Sequence, residues 1–138
     1  MDMLFVYGSL KQGFANEHVN AGKRVDGNYR TFLRMPLFLL GDGHVPCLVH
    51  APGEGHQVIG ELYEVDDGTL AVMDRLERIG EPRGYQRVTI GVERTDQAVP
   101  TTITALVYVK SPDDVPKGTF RIGPCVEYTA EHARHFKW

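Results

Sequence analysis

The stretch QVIGELYEVDDGTLAVMDRLERIG, residues 57–80, decides how the rest of the chain is read. Over its first nine residues Val58, Gly60, Leu62 and Glu64 share one face, and Ile59, Glu61, Tyr63 and Val65 the other. A period of two is the mark of a strand. The period then changes. Asp66 and Asp67 offer a side-chain cap and negative charge to the exposed N–H groups of a helix start. The spacing predicts a helix from about Thr69 to Ile79, stopped by Gly80. With Leu70 at 0°, Met73, Leu76, Val72 and Ile79 fall at about −60°, −120°, −160° and 180°, an apolar arc. Glu77 falls at about −20°, on the edge of that arc, whereas Asp74, Arg75 and Arg78 face the solvated side.

Outward from this unit, strands dominate. Met3 to Tyr7 is a short apolar run closed by Gly8 and reads as a buried first strand, with Gly8-Ser9-Leu10-Lys11-Gln12-Gly13 as a turn. Residues 22–50 read as short strands punctuated by Gly27, Pro36, Gly41, Gly43 and Pro46, and Ala51 to Gly55 is a turn cluster. Tyr85–Glu93 and Thr101–Val109 alternate again, and the polar connection Arg94–Pro100 makes them a hairpin. Tyr128 to Phe136 reads as a short last helix. Strands come in runs rather than in βαβ alternation. The expected fold is α+β: a small mixed, mostly antiparallel, barrel-like sheet with a few short helices, in one domain spanning residues 1–138.

Composition narrows the function. The 138 residues are 42% apolar and 24% charged, enough for a core without metal or disulfide staples. Fifteen basic against eighteen acidic residues give a net charge of −3, and no Lys/Arg stripe appears, which argues against a nucleic-acid partner. No apolar run approaches the roughly 18 residues of a membrane span, and the N-terminus lacks a basic leader, so a cytoplasmic protein without a membrane partner is expected. Cys47 and Cys125 fit no CxxC spacing; the sequence leaves one bridge between them open, but two well-separated cysteines read more readily as free, buried thiols.

The candidate chemistry is sparse. Glu77 is the most informative residue, because a carboxylate among core side chains loses hydration and its pKa rises unless something pairs with it. A raised carboxyl suits acid–base work near neutral pH; the plainer reading is a surface-reaching or ion-paired side chain, with Arg87 as the partner. The glycine after the first strand lets a ligand approach backbone N–H groups closely, although the phosphate-loop spacing is missing. Ser9 has no recognisable His–acid pair to activate it. His132 and His135 sit three apart without a third ligand, and His44, His50 and His56 have no ligand spacing, so neither metal nor cofactor is expected.

Three ordered motifs carry a resemblance. Phe5-Val6-Tyr7-Gly8-Ser9-Leu10-Lys11-Gln12-Gly13 resembles the YG(S/T)L opening of the γ-glutamylcyclotransferase-like (AIG2-like) family. Gly60-Glu61-Leu62-Tyr63-Glu64-Val65 is similar to its GE(L/V)Y strand. Met73-Asp74-Arg75-Leu76-Glu77 with Tyr85-Gln86-Arg87 is similar to its catalytic-glutamate element. Pro36-Leu37, Gly41, His44-Val45-Pro46, Leu48, His50, Pro52-Gly53 and Gly55 resemble the γ-glutamylamine cyclotransferase branch. Two departures stand out. The gap from Glu77 to Tyr85 is about two residues longer than the family's, which leaves Glu81 as a second candidate base, and Arg121 to Trp138 matches nothing in the family.

The resemblance implies intramolecular cyclisation of a γ-glutamyl amide, releasing 5-oxoproline and a free amine, with a small-molecule substrate and no cofactor. Glu77 is then the catalytic base and acid, and Tyr7, Gly8, Ser9 and Leu10 bind substrate through the first loop. Tyr85 and Arg87 orient it, and the C-terminal segment 121–138 shapes the leaving-group side. The alternatives are removal of a γ-glutamyl protecting group from a larger metabolite, or a non-catalytic module of the same fold that binds small ligands. The leaving amine and the oligomeric state are not set by the sequence.

Overall fold

The computed structural model describes residues 1–82, 84–99, 101–115 and 118–136. Pro100 of the expected hairpin connection and Lys137 and Trp138 of the C-terminal segment lie outside the described residues. Among those described, the strands in chain order are β1 (Asp2–Val6), β2 (Lys23–Arg24), β3 (Tyr29–Thr31), β4 (Leu37–Leu40) and β5 (Val45–Leu48), then β6 (Ile59–Val65), β7 (Gln86–Arg94), β8 (Thr102–Val109) and β9 (Arg121–Cys125). Helix α1 (Asp67–Leu76) follows β6, and α2 (Ala130–Ala133) follows β9.

Strands β1, β8, β7, β3 and β6 pair in that order, and β6 returns to β1, so the sheet closes into a five-stranded barrel. Its ladders are antiparallel except β1 with β8, which run parallel at Leu4 and Leu106. A second, antiparallel sheet has the order β5-β4-β9. The α+β, mostly antiparallel, barrel-like expectation matches this architecture. The hairpin does too, running in register from Gln86 opposite Val109 to Glu93 opposite Thr102.

Strand β1 is buried on both faces, as its unbroken apolar run implies. Phe5 and Tyr7 point into a core with Tyr29, Leu62, Val92 and Val107, while Leu4 and Val6 pack with Tyr63, Val65, Leu70 and Met73 under α1. One strand therefore separates two cores, and its end delivers the chain to the boundary between them. Closing a barrel also removes the strand edges that would otherwise invite aggregation.

Helix α1 takes the expected cap, with Asp66 accepting from the Thr69 N–H at 2.7 Å, but begins two residues before Thr69, at Asp67. It ends earlier, at Leu76, with Glu77 as the capping residue. The Arg78 N–H donates to Arg75 O and the Ile79 N–H to Asp74 O, which is the paired closure of a Schellman motif. Arg78 takes the left-handed position at φ 57° that is normally glycine's, so the sequence placed the stop one motif too late, at Gly80. The apolar arc is corrected as well. Val72 is 42% exposed and Leu76 and Ile79 are half-buried, whereas Leu70, Met73 and Glu77 are buried. The inward face centres on Glu77's direction rather than passing beside it.

The C-terminal segment differs from expectation too. Arg121–Cys125, which the sequence pattern leaves unassigned, forms β9; Pro124 is tolerated there because β9 is an edge strand. The last helix covers only Ala130–Ala133, held by a capping box between Thr129 and His132. Cys47 and Cys125 are both free. They sit on the strands either side of β4, roughly 9–10 Å apart by strand spacing and beyond disulfide reach. No helix among the described residues is long and apolar enough to cross a membrane.

Candidate active site

A cleft enclosing about 370 Å³, open mouth included, lies where β1 hands over to the first loop. The loop supplies Tyr7, Gly8, Ser9 and Leu10. Facing them are Pro46 from β5, Glu77 from the end of α1, Tyr85 ahead of β7 and Tyr108 from β8.

The loop turns its carbonyls inward. Gly8 O accepts from the Lys11 N–H, Ser9 O from the Asn16 N–H, and Leu10 O from the Asn20 side-chain amide. Among the described residues the N–H groups of Gly8, Ser9 and Leu10 take no part in the loop's own bonding, which leaves them as candidate donors at the cleft these residues line. The Ser9 hydroxyl accepts from the Asn16 amide at 2.8 Å, which employs it in shaping the loop. Lys11 anchors the loop from behind: its buried ammonium donates to Tyr128 O at 2.6 Å, and burial pulls its pKa down. Gly8 is a glycine for lack of room. A Cβ there would lie 2.7 Å from Pro46 Cγ across the cleft.

Glu77 is 9% exposed. Among the described residues no hydrogen-bond donor and no cation within 4.0 Å meets its carboxylate. Burial pushes its pKa from 4.5 up to about 7, and the ammonium of Lys110 pulls the other way without cancelling the rise. The expected structural partner is spoken for: Arg87 pairs with Asp74 instead. Asp74, assigned to the solvated side of the helix by the sequence, also accepts from the Tyr108 hydroxyl at 2.7 Å. Arg87 and Tyr108 are cross-strand neighbours on β7 and β8, so one aspartate pins the last turn of α1 to both strands.

Glu77 and Tyr85 meet again before β7 begins. The Tyr85 N–H donates to Glu77 O at 2.9 Å, so a long sequence gap ends with its two termini bonded. Gly84 packs against the Arg78 carbonyl so closely that a Cβ would meet it at 1.9 Å. The Tyr85 hydroxyl donates to Pro46 O at 2.8 Å, and the Tyr7 hydroxyl to Tyr108 O at 2.7 Å. Burial holds both phenols well above their ordinary pKa, so they remain neutral donors.

Of the residues singled out in the sequence, Tyr7, Gly8, Ser9, Leu10, Glu77 and Tyr85 meet at one cleft. Arg87 does not line it; it acts on Asp74, behind the wall. Glu81 is exposed and lines neither this cleft nor the one beyond it. His132 accepts from the Thr129 N–H, and the His135 ring packs on His44 at 4.8 Å between centres. Among the described residues no three His, Cys, Asp or Glu side chains are grouped to hold a metal. Sequence reasoning missed Tyr108. Its signal was the strand period, which sets Tyr108 opposite the barrel-facing Ala105, Val107 and Val109.

Comparisons with known proteins give the family and the fold. Residues 4–124 match the family model described as Gamma-glutamyl cyclotransferase, AIG2-like. A γ-glutamylaminecyclotransferase of Rattus norvegicus is 39% identical over 97 residues, covering 67% of this chain and 64% of the relative. One of Homo sapiens is 36% identical over 107 residues, covering 72% and 67%. The matched span is thus about two-thirds of the length of these curated relatives. The crystal structure of an AIG2-like protein from Mus musculus superposes with a TM-score of 0.80 at 28% identity, covering 100% of this chain and 95% of that one. By the span of the family match and the shared fold, this chain belongs to the γ-glutamyl cyclotransferase, AIG2-like family.

Proposed function

We propose that this protein is a γ-glutamyl cyclotransferase that closes the γ-glutamyl half of a γ-glutamyl amide into 5-oxoproline and releases the amine. The observation that carries the reading is Glu77: a buried carboxyl without a partner among the described residues, facing a loop whose backbone N–H groups are unspent. The names of the relatives support the same chemistry.

In this reading the loop donors hold the substrate's α-carboxylate or the developing oxyanion. The Glu77 carboxylate takes a proton from the substrate's α-ammonium. The freed nitrogen attacks the γ-carbonyl carbon, forming the new C–N bond of a five-membered ring. The tetrahedral intermediate collapses as the old C–N bond breaks, and protonated Glu77 returns its proton to the departing nitrogen. A pKa of about 7 suits a group that must do both near neutral pH. Because the nucleophile and the carbonyl belong to one molecule, holding the folded conformer supplies much of the rate. Tyr85 and Tyr7 hold the cleft in shape, and Arg87 contributes through Asp74.

Incubation with γ-glutamyl-ε-lysine or a γ-glutamyl dipeptide, with 5-oxoproline detected by mass spectrometry, is the direct test. The wild type is expected to release it, and Glu77→Gln to be slower by at least about a hundredfold. Tight binding of such compounds with no product would make the chain a binding module of the same fold.

A further inference from the structure

A second cleft, enclosing about 620 Å³ with its open mouth, lies beyond the first, and Glu77 and Tyr85 are the shared wall. Its other lining has two characters. Leu40, Val45 and Leu76 make an apolar side, and Arg78 and Lys110 bring positive charge. Among the described residues of the lining, the carboxyl of Glu77 is the one acidic group. The Lys110 ammonium lies 5.0 Å from the centre of the Tyr85 ring, which sets it close to the partition. The exposed Arg78 forms no ion pair among the described residues, and the Schellman closure fixes its backbone. No described residue of 121–136 lines either cleft.

We propose that this second cleft receives the leaving amine, and that it selects amines carrying an aliphatic stem that ends in a carboxylate or another anion. The inference rests on the cyclotransferase reading above. In that reading the departing nitrogen must sit at Glu77 to be protonated, and the first cleft already holds the glutamyl half. What remains of the substrate extends past the partition. There the stem lies against Leu40, Val45 and Leu76, and its charged end turns to Lys110 and Arg78 on the same lining. A cation at that end meets like charge in a partly desolvated cleft, which is how a site rejects as well as selects.

Three γ-glutamyl amides that differ only at the far end of a four-carbon amine make the test: n-butylamine (neutral), 4-aminobutanoate (anionic) and 1,4-diaminobutane (cationic). The wild type is expected to release 5-oxoproline fastest, by kcat/KM, from the anionic amide and slowest from the cationic one. Lys110→Glu should shift the ratio of anionic to cationic turnover towards the cation by at least about tenfold. Arg78→Glu, at an exposed position, should move the same ratio in the same direction. An exchanged preference cannot come from partial unfolding, which lowers all three rates together. Equal rates on the three amides, a cationic preference in the wild type, or an unmoved ratio in both variants would overturn the inference and leave the cyclotransferase standing. No 5-oxoproline from any of the three would overturn the underlying function, and the inference with it.

Discussion

Glu77 carries a cost that folding alone does not explain. Its pKa of about 7 in the folded protein stands above the ordinary 4.5, because burial disfavours the charged form. The native state therefore holds this proton longer than the unfolded chain does. The group's contribution is most favourable below a pH of about 4.5, declines as pH climbs to about 7, and is level above that. The full difference is roughly 3 kcal/mol. Glu77→Gln keeps the shape and removes the charge, so its melting temperature should match the wild type at about pH 5 and equal or exceed it at about pH 8. Thermal melts of the two proteins at both pH values check this. A variant that lost several degrees at the higher pH would mark Glu77 as half of a structural pair. On the same grounds, with Glu77 as the base of the proposed mechanism, kcat/KM should rise with pH through about 7 as it loses its proton. Across the cleft, Gly8→Ala sets a methyl 2.7 Å from Pro46, so the wall or the loop must yield. Titration calorimetry should show weaker 5-oxoproline binding; unchanged affinity would take the loop out of the site.

At the scale of elements, Asp74 decides where Glu77 points, because it ties α1 to β7 and β8 within one turn of the carboxyl. Asp74→Ala strands the Tyr108 hydroxyl and the Arg87 guanidinium and should cost about 1–3 kcal/mol in denaturant unfolding. Tyr108→Phe removes one bond and should cost about 0.5–1.5 kcal/mol. Both should lower kcat more than they raise KM, since in the proposed mechanism the loop holds the glutamyl half. Much of this layer was legible: the strand period at 57–65, the cap at Asp66 and the hairpin all follow from local pattern. The misses share a cause. Arg78 occupies a glycine's conformation, and Gly123-Pro124 sits inside an edge strand; in both places tertiary packing overrides local preference. Asp74 looked solvated because helical angles know nothing of the strands packed alongside. The site was legible wherever one segment held the motif, as in Tyr7 to Leu10, and illegible where a strand from far along the chain supplied the residue, as with Tyr108 and Lys110.

In the whole molecule, the first loop depends on the far end of the chain. The buried ammonium of Lys11 reaches the carbonyl of Tyr128, whose side chain is fully buried in the barrel-side core. Lys11→Met leaves that carbonyl without its donor and should cost about 1–3 kcal/mol. It should also weaken 5-oxoproline binding more than it slows turnover of bound substrate. A calorimetric titration beside a single-turnover measurement separates the two effects. The parallel contact of Leu4 with Leu106 has a further consequence, one of timing. Strand β1 is made before either of its barrel neighbours, and although β6 follows within some sixty residues, β8, and with it the Tyr108 carbonyl that Tyr7 meets, comes only after some hundred. A chain emerging from the ribosome holds the loop and the glutamate long before it holds a cleft. Pairing across such sequence distance places folding in the slow, millisecond-to-second regime, and until β8 arrives β1 remains an unpartnered apolar strand on one edge.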